Sequence, residues 1–314
     1  MSSNPLISIG IISFNNESYI STCIESCLSQ TYENIEIIIA DDASSDNSVQ
    51  IIKEYALLYP SKITFISSQK NCGIATNFNK AVRASKGEWF KPIACDDVLF
   101  DDCIENYMKE IFKLNLTSGI LFSKMQYLGL NSEKNISTEM PEIFTLQSHQ
   151  KIKSILIDNT LPSPTAFFNM KTLYELGLSD EDYTFLDDYP LWLKAILNNI
   201  NLEFVDIISV KYRQHDSISK PRNKIGNSKF YESLLNFSQN EIWHRRTGFA
   251  KLKNVDDYIS IKSRLALIKI FSNKKTFLYR ILSVFISVLK PYSIMKKFFI
   301  IFEFLKIVKK QSLS

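Results

Sequence analysis

The sequence predicts an α/β fold in which a parallel sheet is wrapped by helices. Two observations carry that prediction. Strand-like and helix-like patterns alternate four times within the first hundred residues, the signature of successive βα units. Three of the four strand patterns run directly into short polar clusters, Ser13-Phe14-Asn15, Asp41-Asp42 and Asp96-Asp97. Open α/β sheets bind ligands outside the carboxyl ends of their strands, so these clusters mark the expected site.

Each element is justified locally. The β-branched run from Leu6 to Ile12 reads as a buried strand. Tyr19, Ile20, Cys23, Ile24, Cys27 and Leu28 recur at three-and-four spacing and predict a helix. Ile35 to Ala40 is a second buried strand. Ser44, Ser45 and Asp46 then offer caps to a helix carrying Val49, Ile52, Tyr55 and Ala56. Ile63 to Ile66 is a third strand. Asn71-Cys72-Gly73 turns into a helix with Ala75, Phe78, Ala81 and Val82, which Gly87 closes. The fourth strand runs from Gly87 through Trp89 and Phe90 into Cys95-Asp96-Asp97.

Two carboxylates at the end of an apolar strand are costly unless a cation meets them. Divalent cations that prefer oxygen ligands suit such a pair. The alternative is a solvated turn whose aspartates cap the helix that follows. No GxGxxG follows any strand and no GxxxxGK[ST] occurs, so phosphate must be handled without a glycine-rich helix start. A divalent cation on Asp96-Asp97 is the substitute.

Composition sets the bounds. The chain has 314 residues, 45% hydrophobic and 22% charged, enough for a real core in one large domain with an extension. Five cysteines without a CxxC pair predict reduced thiols. Met1 to Pro5 shows neither a basic nor an apolar leader segment, so no signal peptide is expected. Between residues 269 and 310 ten Lys/Arg face one acid, Glu303, giving that segment +9 and the remainder about −5 of the net +4. A mildly acidic body with a basic, apolar tail suits two environments.

Beyond Asp97 the pattern becomes α+β. Cys103, Ile104, Tyr107, Met108 and Ile111 predict a helix, and Gly119 to Phe122 a strand. Residues 129–148 read as a polar loop over the site, and Pro162-Ser163-Pro164 as a rigid turn into a strand ending near Phe168. Asp187-Asp188 precede Tyr189-Pro190, and proline suits a first helical turn. Both carboxylates therefore sit at a helix N-terminus, where capping alone is the alternative account. A strand over Phe204 to Val210 leads to Tyr212-Arg213-Gln214-His215.

The ordered set Ser13-Phe14-Asn15, Ser29-Gln30-Thr31-Tyr32, Asp41-Asp42-Ala43-Ser44, Asn71-Cys72-Gly73, Lys86-Gly87-Glu88-Trp89 and Cys95-Asp96-Asp97 resembles glycosyltransferase family 2 over residues 5–215. That resemblance implies the GT-A fold, a Rossmann-like mixed sheet flanked by helices. It divides the chain into a catalytic domain, 1–220, with a nucleotide-sugar half (1–100) and an acceptor half (101–220), and a helical extension, 221–314. It implies inverting transfer from a nucleotide-sugar, UDP-linked, with Mn or Mg as cofactor. Ser13, Asn15, Asp42, Asn71, Gly73, Asp96 and Arg213 are then expected to contact the donor, and Asp97 and His215 the metal. Asp188, six residues before Lys194, matches the family's base, with Asp187 orienting the acceptor. Two departures stand out: Cys95 replaces the first acid of the usual acid-x-acid motif, and Ala43 replaces a glycine.

Residues 224–314 read as helical throughout, with Pro291 the only break. Their apolar rows flanked by lysines suit an interfacial helix on an anionic membrane. Packing on the catalytic domain or a protein-interaction arm stay open, and the abundance of Ile, Leu and Phe disfavours nucleic acid. The expected protein acts at the cytoplasmic face of the membrane on a glycan, lipid-linked in bacterial surface-polysaccharide assembly. The other classes are a nucleotidyltransferase, which would want a glycine-rich basic loop after the first strand, and a non-catalytic sugar-nucleotide binder or scaffold, which would not need Asp188.

Overall fold

A computed structural model describes residues 4–129, 136–137, 139–214 and 224–297. The chain forms two compact units, Met1–Gln214 and His215–Ser314. The expected domain boundary at 220/221, His215 and the apolar-basic stretch beyond Lys297 lie outside the described residues.

The first unit opens with β1 (Ile7–Ser13), α1 (Ile20–Leu28), β2 (Ile35–Asp41), α2 (Ser48–Leu58), β3 (Ile63–Ser67), α3 (Ile74–Ala84) and β4 (Trp89–Ala94). It continues with β5 (Val98–Leu99), α4 (Cys103–Lys113), β6 (Ile120–Leu128), α5 (Ser148–Ile157), β7 (Phe167–Asn169), α6 (Met170–Glu175), α7 (Tyr189–Leu197) and β8 (Leu202–Arg213). One eight-stranded sheet takes the order β3-β2-β1-β4-β7-β6-β8-β5. β1 pairs in parallel with β2 and β4. β7 runs antiparallel to both β4 and β6, and β6 pairs in parallel with β8.

The sheet is covered on both faces, which is why its early strands read as unbroken apolar runs. On one face Ile7, Ile9, Ile11, Ile37, Ile39, Trp89 and Ile93 join Cys23, Ile24 and Cys27 of α1 and Ile104, Tyr107 and Ile111 of α4 in a single buried cluster. On the other, Phe78 of α3 meets Phe90 edge-to-face at 5.7 Å. With β1 between β2 and β4, the chain reverses its direction of winding there. That switch point is where open α/β sheets leave a crevice at the carboxyl ends of their strands, here the ends carrying Ser13 and Asp96-Asp97.

The second unit contains α8 (Ser228–Phe237), α9 (Leu252–Ile270) and α10 (Phe277–Ser287), and the described chain ends in a helical segment, Pro291–Lys297. Tyr231, Leu235 and Ile261 form one buried cluster, and Ile225, Leu267 and Tyr279 another. The expectation of uninterrupted helix before Pro291 is corrected. Short π and 3-10 turns separate α8 from α9. α9 and α10 are parted at Ser272 and Asn273, with φ of 46° and 62°. Asparagine tolerates that left-handed backbone, and the Asn273 carboxamide oxygen accepts the backbone N–H groups of Ile225 and Gly226 at 3.0 and 3.1 Å.

Candidate active site

The loops that follow β1 and β2 are stitched together by their own polar side chains. The Ser13 hydroxyl donates to Asp41 Oδ2 at 2.9 Å, and the Ser44 amide and hydroxyl donate to the same carboxylate at 2.8 and 2.6 Å. Asn15 Oδ1 accepts the Ser45 amide at 2.7 Å. Both oxygens of buried Asp42 accept backbone N–H groups, from Cys72 at 2.9 Å and Gly73 at 2.7 Å. Asp42 thereby seats the turn before α3, while the Asn71 side chain is exposed at its rim. Ala43 adopts φ of 64°, the left-handed backbone for which the family pattern supplies glycine.

At the end of β4 the strand continues its pairing with β1 through Cys95, whose amide donates to the Ile12 carbonyl at 3.1 Å. Asn16 donates to Cys95 Sγ at 3.0 Å. Asp97 is 3% exposed. β8 delivers Arg213 to this corner: its amide donates to Asp97 Oδ1 at 2.8 Å, its Nε to the Asp96 carbonyl at 2.7 Å, and its guanidinium lies 4.4 Å from the Tyr19 ring centre. Burial first, and then the Asp96 charge, push Asp97 up to about 8, against the pull of the Arg213 amide, Lys91 and the Arg213 charge.

Among the described residues no three His, Cys, Asp or Glu side chains converge as a metal set. The Asp96-Asp97 pair nevertheless suits a divalent cation. Its donors are adjacent hard oxygens, Asp97 buried and Asp96 part-exposed at the strand end, and a cation would offset both the burial of Asp97 and the Asp96 charge beside it.

A second acidic corner lies at the start of α7. Asp188 is its N-cap and accepts the Tyr189 amide on Oδ1 at 2.6 Å. Its Oδ2 accepts the Ser163 hydroxyl at 2.7 Å and the Asn159 amide nitrogen at 3.1 Å. Ser163 in turn accepts Trp192 Nε1 at 3.1 Å. Burial and the neighbouring Asp188 charge push Asp187 up to about 7. Lys194 pairs with Asp180 at 3.3 Å. Ser163 and Asn159 escape sequence reasoning, because a turn read from two prolines gives no sign of what its serine touches.

The two corners open on the same edge of the sheet. β7 runs antiparallel to β4 with Phe90 opposite Phe168 and Trp89 opposite Asn169. The residues just before β7 therefore lie beside the carboxyl half of β4. Lys91 Nζ spans this seam, donating to the Pro164 and Ala166 carbonyls at 2.7 and 3.2 Å. Thus Asp96, Asp97 and Arg213 share one corner, Asp187 and Asp188 the adjacent one, and Ser13, Asn15, Asp42 and Gly73 the neighbouring ends of β1, β2 and the turn before α3.

A mixed eight-stranded sheet with acidic residues beyond the carboxyl ends of its strands defines an α/β protein with a ligand crevice at its switch point, and comparison with known proteins supplies its family. The family model for glycosyl transferase family 2 matches residues 8–173, and the chain belongs to that family. It is 28% identical over 265 residues to an uncharacterised glycosyltransferase of Rickettsia typhi, covering 82% of this chain and 76% of the relative. It is 31% identical over 193 residues to chondroitin synthase of Escherichia coli, covering 60% of this chain and 26% of that protein. A second Rickettsia relative, from Rickettsia felis, is 29% identical, and the chain spans 34% of its length. Among solved structures, residues 1–349 of S. aureus TarS in complex with UDP-GlcNAc superpose with a TM-score of 0.56 at 18% identity, over 81% of this chain and 73% of that one. A mannosyltransferase of Pyrobaculum calidifontis in complex with GDP-Man and Mn2+ gives 0.54 at 14% identity, over 94% and 84%. The fold is that of the GT-A glycosyltransferases.

Proposed function

We propose that this chain is an inverting, metal-dependent glycosyltransferase that moves a hexosyl or N-acetylhexosaminyl group from a UDP-sugar to a hydroxyl of a glycan. The observation that carries the reading is the pair of acidic corners on one sheet edge. Asp188 is the base. A carboxylate has about four acceptor sites; the Tyr189, Ser163 and Asn159 donors fill three and fix its orientation. The site left on Oδ1 takes the proton of the acceptor hydroxyl as its oxygen attacks the anomeric carbon and the nucleoside diphosphate departs. Asp187 orients the acceptor. Inversion in a single displacement is the course the family resemblance implies.

Asp96 and Asp97, with His215 as the expected further ligand, would hold Mg or Mn. When bound, such an ion stabilises the departing diphosphate as a Lewis acid. Arg213 faces the same charge. Ser13, Asn15, Asp42, Asn71 and Gly73 shape the nucleotide side. UDP is favoured because TarS is seen with UDP and with UDP-GlcNAc, and Mn because the Pyrobaculum mannosyltransferase is seen with it. The basic, apolar tail supports peripheral contact with the cytoplasmic face of a membrane, and with it a lipid-linked acceptor in O-antigen, capsule or exopolysaccharide synthesis.

The test is a panel of UDP- and GDP-sugars scored by thermal shift and by release of nucleotide, with and without Mn. One donor is expected to stabilise the protein by mass action, more so with Mn, and to be turned over. Asp188→Asn should lower turnover by about 10²- to 10⁴-fold and leave UDP binding intact. Full turnover in that variant would remove Asp188 as the base.

A further inference from the structure

The most unusual charged group in the first unit is Lys91. It lies in the middle of β4, 0% exposed, on the face that carries Trp89 and Ile93 into the core. A lysine buried to that degree needs partners for every N–H it carries. Lys91 Nζ donates to the carbonyls of Pro92 at 3.0 Å, Pro164 at 2.7 Å and Ala166 at 3.2 Å. The carbonyl between the last two, that of Thr165, accepts the buried Tyr107 hydroxyl, whose oxygen also lies within hydrogen-bond distance of the Ser123 and Ser209 hydroxyls, at 2.9 and 3.2 Å. Three consecutive carbonyls of one turn are thus captured by two buried side chains. Backbone carbonyls away from water must be paired, and those of this turn are paired by Lys91 and Tyr107.

That turn begins at Ser163, whose hydroxyl donates to Asp188 Oδ2. Beyond the carboxyl end of β4, the strand that carries Lys91, stand Asp96 and Asp97. One ammonium group therefore ties the strand bearing the first acidic corner to the turn that holds the second.

We propose that Lys91 is a positioning residue for sugar transfer: together with Tyr107 it fixes the 163–166 turn, and through Ser163 it holds the Asp188 carboxylate at the edge where Asp96 and Asp97 lie. This rests on the reading of Asp188 as the base. Lys91 touches no reacting atom. It acts by keeping the two corners in register, and misplacement of a catalytic group by an ångström costs on the order of 100-fold in rate.

The experiment uses the full chain and Lys91→Met, which keeps length and apolar bulk and removes the charge and the donors. Hydrogen exchange, which needs no substrate, should show amides of residues 163–169 opening about tenfold more readily, with β1 to β3 unchanged and UDP–Mn2+ affinity held within about threefold. With UDP-GlcNAc, UDP-glucose, UDP-galactose and GDP-mannose as donor probes, kcat should fall about 100-fold at nearly unchanged donor KM. Ser163→Ala added to Lys91→Met should cost no more than about a further twofold, because both act through one link. Independent, multiplying losses would assign Lys91 a purely structural role and overturn the inference, as would unchanged exchange in the turn. Should the Met variant not fold, Lys91→Gln, which retains two N–H donors, enters the same cycle with the same deciding outcome. If the wild-type chain turns over no donor probe, the transferase reading fails while hydrogen exchange still decides the Lys91 linkage to the turn. If wild type is active, Asp188→Asn is not, and Lys91→Met keeps wild-type kcat, the Lys91 inference alone falls.

Discussion

Asp187 is a carboxylate whose protonation its surroundings change. Burial and the Asp188 charge push it up to about 7, whereas an aspartate in an unfolded chain releases its proton near 3.9. Between those values the folded protein holds a proton that the unfolded chain has lost, so stability falls as pH rises through that window and levels off above it. Asp187→Asn, an uncharged near-isostere, removes the dependence. Urea unfolding at pH 5 and pH 8 should show a wild-type loss that exceeds the loss in Asp187→Asn by about 2–3 kcal/mol. Identical pH dependence in the two proteins would mean that Asp187 is ionised in the fold at low pH. The acidic pair was legible in the sequence from its place before Tyr189-Pro190. What pins it was not, since Ser163 and Asn159 reach Asp188 across 25 and 29 residues. Lys91 left one faint trace, a charge at alternate spacing between Trp89 and Ile93, both of which face the core.

At the scale of elements, the four opening βα units were readable because β1, β2 and β4 are buried along most of their length, the edge strand β3 keeps its β-branched and aromatic run, and the helices between them carry apolar stripes. The later strands were harder. β7 has three residues and β5 two, too few for any periodicity, and β8 runs beside β6 with register shifts near Ser123 and Lys124 that no local pattern announces. The junction between α3 and the segment before Asp187 is likewise tertiary. Gly73 has φ of 90°, and a Cβ there would lie 2.1 Å from Thr184 Cγ2 and 2.5 Å from the Thr184 carbonyl oxygen. Gly177, just past α6, has φ of 75° with nothing within 4 Å of such a Cβ. Alanine pays positive-φ strain of about 1 kcal/mol at Gly177; at Gly73, where ψ is 165°, it enters a region essentially reserved for glycine, at about 1–3 kcal/mol. Only Gly73→Ala must also displace the backbone three residues before Asp187, adding roughly 1–3 kcal/mol of overpacking. Denaturant unfolding should therefore separate the two variants, with Gly73→Ala the costlier and also the poorer transferase. Equal losses would show that Thr184 yields without resistance.

For the molecule as a whole, the decisive asymmetry is that residues 271–297 contain six Lys/Arg and no Asp or Glu. In the same segment Phe277, Val284, Phe285, Val288 and Leu289 are each at least 60% exposed, a concentration of apolar surface that a soluble face rarely carries. No single described helix is long and apolar enough to cross a membrane, and α10 with the segment Pro291–Lys297 forms a pair bent by 67°. The bend is held from within the unit: buried Asp256 accepts the amides of Tyr292 and Ser293 at 3.0 and 2.9 Å and the Ser293 hydroxyl at 2.6 Å. The 11-residue α10 alone reaches about 16 Å of a hydrocarbon core of about 30 Å; together with Pro291–Lys297 it has the length and composition of a broken span or re-entrant loop, and its placement at the interface is what vesicle binding tests. Apolar side chains entering the headgroup boundary and lysines meeting anionic lipid would each contribute, the latter by about 1 kcal/mol apiece near the surface. The full chain should therefore sediment with vesicles containing phosphatidylglycerol far more than with phosphatidylcholine alone, and raising salt from about 0.1 to 0.5 M should weaken that binding as the charges are screened. Phe285→Glu with Val288→Glu should abolish it while leaving nucleotide binding unchanged. No sedimentation with either vesicle would assign the exposed apolar row to a protein partner and remove the membrane from the account of the acceptor, and equal binding by wild type and variant would show that this row does not carry the contact.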